Sequence, residues 1–561
     1  MNIRYRIARL VLPALVVLIF LSCGQKEEAS EPSVQNPATQ ESSPPEPAKA
    51  VGEPAYGDAL VEGSIGDASN LIPMLSSDSS SHAIAGLVYN GLVKYDKDIN
   101  LVGDLAEKWN ISEDGTVIDF HLRKGVKWHD GSPFTAEDAL FTYKVMIDPK
   151  TPTAYADDFL QVQKAELIDS YTMRVTYKRP FAPALASWGM GVAPKHLLEG
   201  KDITQSPLVR DPVGTGPYLF ERWITGREIV LRANPNYFEG RPYISESKTR
   251  IIPDSATMFL ELEAGGIDLM GLTPIQYTRQ TVSDQWKKRF NKYSYLASAY
   301  TYLGYNLEDS KFKDKRVRQA ISYAVNKQEL IDGVLLGLGE AASGPFKPGT
   351  WPYNPDVKPY AYNPERAKEL LREAGWEDTD GDGLLDKDGE PFRFTILTNQ
   401  GNESRQKTGV IIQFSLKAIG IEVQVRTVEW AAFLKEFIDK KKFEAVILGW
   451  TIPPDPDLFD VWHSSKTRPS ELNFVSYRNE EVDRLIEKSR YTFDREVRKE
   501  CLYKIQEILA EDQPYTFLYV PQALVAVSSR IRGIEPAPLG IAYNRIKWYV
   551  PADQQKYKIA F

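Results

Sequence analysis

The chain has 561 residues, 42% of them hydrophobic, which is enough for a sizeable core and for more than one domain or lobe. Its formal net charge of −8 argues against a nucleic-acid-binding protein, since no basic field is present to attract phosphates. Aromatic residues make up 11% of the chain. This share fits a protein that holds ligands with aromatic rings, and it fits core packing equally well.

The first 24 residues predict export followed by lipid attachment. Arg4, Arg6 and Arg9 precede an apolar run that is too short for a transmembrane helix and is typical of a secretory signal. The run ends in "LSCG", which resembles the bacterial lipobox and implies cleavage before Cys23. We therefore expect residues 1–22 to be a signal peptide and Cys23 to carry a lipid that holds the protein on a membrane. The alternative is an ordinary signal peptide with a chance cysteine.

A tether is predicted to follow, so that residues 23–56 comprise the lipidated cysteine and a disordered linker. Residues 25–56 are rich in Glu, Pro, Ser and Ala and almost lack large apolar side chains. Globular sequence begins near Gly57. One further cysteine, Cys501, remains, so an exported protein of this kind has no internal disulfide. The helical spacing of apolar residues around Cys501 predicts a core position rather than a nucleophile.

The first part of the globular sequence mixes strands, turns and helices. The pair Asp114-Gly115 predicts a turn between two strands, the second of which carries the apolar positions Val117, Ile118, Phe120 and Leu122. A helix is predicted to follow, with Thr135 as its N-cap and Asp138 three residues later.

Helices with clear start and stop signals dominate the next part. Asn326 is a predicted N-cap with Glu329 three residues later. Asn363 is a second predicted N-cap, Pro364 takes the first helical position, and Gly375 ends that helix.

Strands alternate with these helices. Gly420 ends a helix and leads into a strand whose one face carries Ile421, Val423 and Val425. The segment "FEAVILGW" (443–450) is almost continuously apolar, as expected for a strand covered by helices on both faces. Near the C-terminus, residues 530–550 return to a strand-like pattern. The alternation predicts two α/β lobes with a cleft between them.

Signatures of catalysis are mostly absent from the sequence. The five histidines show no metal-ligand spacing, and there is no G-x-S-x-G motif. We therefore predict a protein that is not an enzyme.

An acidic loop is the strongest cation-binding pattern. Positions 1, 3, 5, 6 and 9 of a calcium loop are matched by Asp378, Asp380, Asp382, Gly383 and Asp386. Alternate oxygens there would converge on a cation, although position 12 is Gly389 instead of the usual Glu. The loop is a candidate site for a structural calcium ion, and no cofactor is expected to be required. The alternative is a solvated acidic hairpin between a helix and a strand.

Four long segments, in order along the chain, resemble a known family. They are "LAEKWNISEDGTVIDFHLRKGVKWHDGSPFTAEDALF", "DPVGTGPYLFERW", "YLGYNLEDSKFKDKRVRQAISYAVNKQELI" and "VILGWTIPPDPDLF". They are similar to segments of the bacterial extracellular solute-binding proteins of family 5, which include the oligopeptide- and dipeptide-binding proteins of ABC importers. The resemblance covers the chain from about Gly57 onward.

The resemblance implies a two-lobed α/β fold of the type II periplasmic-binding-protein kind, with a hinge and a central ligand cleft. Lobe one would comprise residues 57–296, with a small extra subdomain, and residues 524–561. Lobe two would comprise residues 297–523. Closure of such a cleft needs no chemistry, only a higher affinity of the ligand for the closed state.

The resemblance also implies ligand-binding residues in the loop after the strand at 443–450. Trp450 matches a tryptophan that lies at the cleft in peptide-binding members, and Thr451 follows it. The aspartate that holds the peptide α-amino group is replaced by Pro453, so this clamp is either missing or shifted to Asp455. Either outcome should weaken selection for free peptide N-termini. The alternative is that Asp455 and Asp457 cap a following helix.

Two further segments are implied to meet the ligand. Residues 76–82, "SSDSSSH", align with an edge strand that pairs with the peptide backbone in relatives, which makes Ser79, Ser80 and Ser81 candidate contacts. Tyr305 and Asn306 lie near the hinge, and Tyr305 belongs either to the core or to the cleft.

Three functions remain from the sequence. The first is a monomeric, lipid-anchored substrate-binding protein of an ABC importer, in the periplasm or on the cell surface, that captures oligopeptides or similar solutes and docks on the permease subunits. The second has the same fold and a non-peptide ligand, such as an opine, a nickel chelate or an oligosaccharide. The third is a different class of protein, a secreted hydrolase or a lipoprotein chaperone.

Overall fold

The computed structural model describes residues 52–559. The predicted signal peptide, the lipidation of Cys23 and most of the predicted tether lie outside this range. The strands are β1 (Gly57–Ser64), β2 (Val93–Tyr95), β3 (Leu101–Gly103), β4 (Ala106–Ile111), β5 (Val117–Leu122), β6 (Val162–Asp169), β7 (Thr172–Tyr177), β8 (Tyr218–Ile224), β9 (Glu228–Ala233), β10 (Ile244–Ile251), β11 (Leu269–Gly271), β12 (Phe290–Leu296), β13 (Ala299–Tyr305), β14 (Gly339–Ala341), β15 (Asp386–Lys387), β16 (Glu390–Pro391), β17 (Arg393–Asn399), β18 (Glu422–Val428), β19 (Ala445–Thr451) and β20 (Tyr515–Ser528).

Helices alternate with many of these strands. They are α1 (Ser79–Val88), α2 (Ala136–Ile147), α3 (Ala156–Leu160), α4 (Lys195–Leu198), α5 (Ser255–Ala264), α6 (Asp284–Arg289), α7 (Ser310–Lys313), α8 (Lys315–Ala324), α9 (Lys327–Gly333), α10 (Pro364–Glu373), α11 (Glu403–Lys417), α12 (Trp430–Ala432), α13 (Phe459–Trp462), α14 (Glu480–Arg490) and α15 (Arg495–Asp512). Short 3₁₀ or π turns add Pro73–Leu75, Ala182–Ala184, Ala186–Gly189, Ile203–Gln205, Pro207–Val209, Gln276–Gln280, Phe433–Ile438, Ser464–Lys466, Ala542–Lys547 and Ala552–Gln554.

Twelve of the described strands form one mixed sheet that runs through both lobes. Its order is β18-β17-β19-β13-β20-β11-β1-β10-β9-β8, and β12 and β14 also pair with β20. The first half of β20 pairs with β13 and β14, and its second half pairs with β11 and β12. β20 therefore passes from one lobe to the other near Pro521. We use lobe one for residues 52–296 and 524–559 and lobe two for residues 297–523. That each of these two sets of residues moves as one unit is still a prediction.

The central strands of lobe two are buried on both faces, as the apolar run in β19 predicts. Ala445 and Ile447 pack into one hydrophobic core, and the alternate residues Val446 and Leu448 pack into another. Because successive side chains of a strand point to opposite faces, a strand between two helical layers must be apolar at every position. This is the architecture of a two-lobed α/β protein.

Lobe one contains a separate core around a small antiparallel sheet. That sheet has the order β4-β5-β7-β6, and the turn between β4 and β5 includes Asp114 and Gly115, as predicted. Ile118, Phe120 and Leu122 point into this core, which also takes up residues of α2 and the loop around Trp188. The Thr135–Asp138 capping box at the start of α2 is present as predicted.

Other local predictions are confirmed where the signal is a capping side chain. Asn363 accepts a hydrogen bond from the backbone N–H of Arg366 at the start of α10, and Gly375, which follows that helix, has φ +83°. Asn326 accepts from the N–H of Glu329 in the same way. Cys501 is buried in the core, also as predicted.

The prediction of strands in residues 530–550 is wrong. This segment forms two isolated β-bridges and one 3₁₀ turn, and no strand of the described chain follows β20. Its apolar residues instead pack Trp548 and Val550 against Leu60 and Ile244 of lobe one. The pattern arose because an irregular segment lying on a sheet also buries every second or third side chain.

Among residues 52–559, no helix has both the length and the apolar character that crossing a bilayer requires.

Candidate functional site

The candidate site is the edge of the lobe-two sheet that faces lobe one. β18 and β19 both run parallel to their neighbour β17, so these strands end along one edge, at Val428, Thr451 and Asn399. We call this the carboxyl edge. Open α/β sheets bind ligands outside the carboxyl ends of their strands. The loop after β17 reaches lobe one, since a Cβ on Gly401 would lie 2.5 Å from the carbonyl oxygen of Pro253.

A tryptophan after β18 joins the lobes directly. The Nε1–H of Trp430, the first residue of α12, donates to Oδ1 of Asp78 in lobe one at 3.4 Å. A Cβ on Gly66 would lie 3.0 Å from the same indole ring. Gly66 therefore leaves the space into which Trp430 packs. These contacts join residues of the two predicted lobes at the carboxyl edge.

The structure places Trp450 and Thr451 at the carboxyl edge, where β19 ends. The Nε1–H of Trp450 donates to the hydroxyl of Tyr515 at 3.2 Å, and its ring lies 5.8 Å from that of Phe474, centroid to centroid. The indole is thus held inside lobe two and is half-buried, and the Thr451 side chain is exposed. Both residues are in a position to contact a solute.

Asp455, the predicted replacement for the ammonium-binding aspartate, already has a cationic partner. Its carboxylate accepts two bonds from the guanidinium of Arg498, at 2.5 and 3.2 Å. Arg498 in turn lies over the ring of Trp351, 5.6 Å from its centroid. Burial and the Asp455 carboxylate raise the pKa of Tyr95 to about 12. A ligand ammonium would have to displace Arg498 before it could pair with Asp455.

The prediction of an edge strand at residues 76–82 is wrong. Asp78 is the N-cap of α1 and accepts from the backbone N–H of Ser81 at 2.9 Å. Ser79 is exposed, Ser80 is half-buried beside Gly66, and Ser81 is buried, with its hydroxyl accepting a backbone N–H at 2.8 Å. An aspartate followed by serines favours a helix start because its carboxylate satisfies free N–H groups, and from Ser79 onward the backbone is helical rather than extended. A cavity of about 100 Å³ in lobe one reaches Ser80.

The hinge residues lie in and beside the core. Tyr305 is fully buried, and its hydroxyl is 2.6 Å from Oγ1 of Thr516. The side-chain amide of Asn306 donates to the carbonyl of Phe443 at 3.0 Å. Of the two readings of Tyr305, the structure shows the core position.

The acidic loop brings three of its four predicted ligands together. One carboxylate oxygen from each of Asp378, Asp380 and Asp382 lies within 4.8 Å of the others, and all three side chains are exposed. Asp386 is not part of this group, because its carboxylate accepts the hydroxyl of Thr379 at 2.8 Å. Calcium binding stays a prediction.

An interlobe ionic cluster lies beside the carboxyl edge. It comprises Asp157 and Asp158 of lobe one with Asp457, Asp460, Lys466 and Arg490 of lobe two. Lys466 forms an ion pair with Asp157 and lies 3.5 Å from Asp460, and Arg490 forms an ion pair with Asp158 and lies 3.1 Å from Asp457. The side chains of Lys466 and Arg490 are only 5% and 2% exposed. The cluster therefore fastens the lobes together with nearly buried charges.

Burial dominates the electrostatics of this cluster. It raises the pKa of Asp460 to about 7 and that of Asp158 well above its usual value, because the other carboxylates add repulsion and the cations only partly offset it. Asp457 also accepts the N–H of Phe459 at 3.0 Å, beside the start of α13. The N-cap residue of α13 is Leu458, so Asp457 lies one position before the cap.

Sequence analysis missed Trp430 and the ionic cluster. Trp430 had a usable signal, because it comes directly after a strand of the α/β layer. The cluster joins Asp157 to Lys466, which lie 309 positions apart in the sequence (466 − 157).

Comparisons with known proteins agree with this architecture. Residues 100–470 match the family described as bacterial extracellular solute-binding proteins, family 5 Middle. The chain is 35% identical to the oligopeptide-binding protein AppA of Bacillus subtilis over 98% of this chain and 99% of that protein. The structure of AppA in complex with a nonapeptide matches with a TM-score of 0.85 and covers 89% of this chain and 100% of that one.

Two further structures show the range of ligands among similar proteins. DppA of Helicobacter pylori, in complex with the peptide STSA, is 30% identical with a TM-score of 0.80, and the match covers 89% of this chain and 99% of that one. NikZ of Campylobacter jejuni, in complex with Ni(L-His), is 27% identical with a TM-score of 0.80, and the match covers 88% and 99%. The family match and the AppA match each span well over half of the chain. The chain belongs to the bacterial extracellular solute-binding proteins of family 5.

Proposed function

We propose that this protein is the peptide-capturing component of an ABC importer. It takes up an oligopeptide between its lobes, closes, and docks on the permease subunits as a monomer, without catalysing a reaction. The observation that carries the proposal is the likeness to AppA, which extends over nearly the whole chain and over its peptide-bound fold. The direct contacts between the lobes at Trp430 and in the ionic cluster support a cleft that closes.

The proposed location is outside the cytoplasm, on a membrane that holds the lipidated Cys23. The family is extracellular or periplasmic, and the "LSCG" segment supports lipidation. Labelling of growing cells with a fatty-acid analogue tests this proposal. The protein should incorporate the label, and Cys23→Ala should abolish incorporation. Labelling of the Cys23→Ala protein would refute attachment at this residue.

A second candidate is a non-peptide solute such as a nickel chelate or an opine. It is favoured by the pairing of Asp455 with Arg498 and by Pro453, which together leave this loop without an unpaired carboxylate for a peptide ammonium. The NikZ structure supports it, because a similar fold holds Ni(L-His) in that protein.

Native mass spectrometry decides between the two. The chain from Gly24 onward is purified without denaturation, and any ligand that co-purifies is released by unfolding and weighed. A series of peptide masses supports peptide capture. A single non-peptide mass, or an empty protein that ignores added peptide mixtures, would overturn the peptide proposal in favour of the second candidate.

A further inference from the structure

We propose that closure of the lobes takes up a proton at the ionic cluster, so that solute capture tightens as the surroundings become more acidic. The inference rests on the proposed function, because it needs lobes that open and close around a solute. It adds a pH response to the cleft, and this response belongs to contacts between the lobes rather than to any contact with the solute.

The part of the ionic cluster that lies in lobe two is electrically balanced by itself. Lys466 lies 3.5 Å from the carboxylate of Asp460. Arg490 lies 3.1 Å from the carboxylate of Asp457 in the same way. Because all four side chains belong to lobe two, they stay together when the lobes separate. Two negative and two positive charges then cancel.

Lobe one adds two negative charges to this balanced group. Asp157, in the first turn of α3, forms an ion pair with Lys466. The next residue, Asp158, forms an ion pair with Arg490. Four carboxylates then share two cations, and because the side chains of Lys466 and Arg490 are almost fully buried, water screens the excess negative charge poorly. Bringing the lobes together therefore has an electrostatic cost that binding of a proton reduces.

Asp460 is the carboxylate that closure leaves without a close partner. Its cationic neighbour Lys466 contacts Asp157 more closely, and no hydrogen bond from residues 52–559 reaches the Asp460 carboxylate. Burial, together with the charges of Asp457 and Asp157, raises the pKa of Asp460 to about 7, which the two cations only partly offset. The Asp460 side chain is 29% exposed, so water can deliver the proton.

Cations around the cluster do not supply the missing positive charge. Arg468, in the loop after Lys466, is exposed and pairs with Glu471 at 2.8 Å. Arg179 of lobe one is exposed and lies over the ring of Tyr491, 3.2 Å from its centroid. The other cations on adjoining elements are exposed and donate to backbone carbonyls; they are Lys178 and Arg478.

Titratable groups on the adjoining elements keep their partners when the lobes move. Nε2 of His82 lies 3.4 Å from the hydroxyl of Tyr155, and both residues belong to lobe one. Nε2 of His463 lies 3.5 Å from Glu487, and both belong to lobe two. The carboxylate of Asp483 accepts a backbone N–H of lobe two at 2.8 Å. The phenols of the cluster stay neutral, because burial raises the pKa of Tyr155 and Tyr177.

The sign of the pH response follows from the raised pKa of Asp460. When the lobes separate, Asp157 moves away, water reaches Asp460, and its pKa falls towards the usual value of about 4. The closed form therefore binds the proton more tightly than the open form, and a lower pH favours closure. Between these two pKa values the affinity for solute gains up to about tenfold per pH unit, so we expect a gain of about 5- to 20-fold from about pH 6.5 to about pH 5.

The probe is a nine-residue peptide of Ala, Ser and Leu with free ends, since AppA binds a nonapeptide. Its termini titrate near about pH 8 and about pH 3.5, outside this range. Titration calorimetry on the chain from Gly24 onward gives the dissociation constant. Repeating it at about pH 6 in two buffers of different ionisation enthalpy gives the number of protons taken up, which should be close to one in the wild type.

Asp460→Asn separates a proton site from a merely structural residue. The amide is neutral at every pH and imitates the protonated carboxyl group, so the variant at about pH 6.5 should bind the peptide as tightly as the wild type does at about pH 5, without proton uptake. Loss of a structural contact would weaken binding instead. Asp157→Asn should reduce the proton uptake to about half or less, because part of the repulsion on Asp460 comes from lobe one.

The matched control is Asp284→Asn, since Asp284 is an aspartate of lobe one whose side chain is 92% exposed. Its affinities and proton uptake should equal those of the wild type. A wild type that binds the peptide equally at both pH values without proton uptake would overturn the inference alone. An unchanged pH response in a folded Asp460→Asn variant would do the same, as would an unchanged uptake in Asp157→Asn if Asp460→Asn does not fold.

Small-angle scattering of the peptide-free protein keeps this inference separate from the proposed function. If the peptide binds the wild type at neither pH, the proposed peptide function is refuted and scattering decides about the proton. A smaller radius of gyration at about pH 5 than at about pH 6.5 in the wild type, absent in Asp460→Asn, would support proton-linked closure. The same radius at both pH values would overturn it.

Discussion

Loss of the Lys466–Asp157 ion pair should weaken solute binding, although neither residue is proposed to contact the solute. Asp157→Asn removes the lobe-one partner, and Lys466 keeps Asp460 at 3.5 Å. Lys466 is 5% exposed and Asp157 24% exposed, so the pair is much less screened than a surface pair, whose median value is about 0–1 kcal/mol. We take about 2 kcal/mol as the free energy lost when Asp157 is replaced, which is the lower end of the cost of removing one partner from an enclosed interface pair.

This energy belongs to the closed state alone, because in an open protein Asp157 and Lys466 separate. If closure is required for tight binding, the affinity falls by up to about 30-fold, which corresponds to about 2 kcal/mol. The dissociation constant is measured by titration calorimetry with a peptide that co-purifies. Small-angle scattering of the peptide-free protein should show a larger radius of gyration in the variant than in the wild type.

The control is Lys440→Gln, which breaks an exposed ion pair with Glu436 inside lobe two. It should leave both measurements unchanged. If Asp157→Asn binds peptide as tightly as the wild type, the ionic cluster does not contribute to closure and this reasoning is refuted. A variant that unfolds at a much lower temperature would instead show that Asp157, in the first turn of α3, stabilises lobe one itself.

Three further results are expected. The raised pKa of Asp460 means that the folded protein binds this proton more tightly than the unfolded chain does. The unfolding temperature should therefore fall as the pH rises from about 4 to about 7, and Asp460→Asn should make it depend less on pH. The same pH dependence in the variant would contradict the raised pKa of Asp460. Calcium should raise the unfolding temperature of the wild type and not that of Asp380→Ala, whereas calorimetry that detects no calcium binding would exclude the acidic loop as a site. Arg498→Gln leaves Asp455 without its cation, so the variant should gain about tenfold or more in preference for a free-amine peptide over its N-acetylated form, and an unchanged ratio would show that Asp455 does not reach the peptide.

Several parts of the fold could be predicted because their cause is local. Thr135 with Asp138 and Asn363 with Arg366 define helix starts through hydrogen bonds within four residues. The apolar run of β19 predicts a doubly covered strand, because each of its side chains must enter one of two cores. The prediction of an edge strand at residues 76–82 failed for a related reason. The same short polar segment suits an edge strand or a helix N-terminus, and the apolar spacing of the following residues favoured the helix.

Long-range contacts decided most of the candidate site. Nothing near Asp455 in the sequence indicates that Arg498 neutralises it, since the two lie 43 positions apart (498 − 455). Tyr305 was equally consistent with core and cleft until its hydroxyl was found beside Thr516 of β20.

The sequence by itself determined the α/β class, the family resemblance and the helix caps, because these depend on residue periodicity and on hydrogen bonds between near neighbours. Only the tertiary structure decided which charges face each other across the lobes and which remain without a partner. The pairing of Lys466 with Asp157 and that of Arg498 with Asp455 depend on how distant segments are brought together. The strength of such charges depends on burial, and burial is a property of the folded chain rather than of any segment.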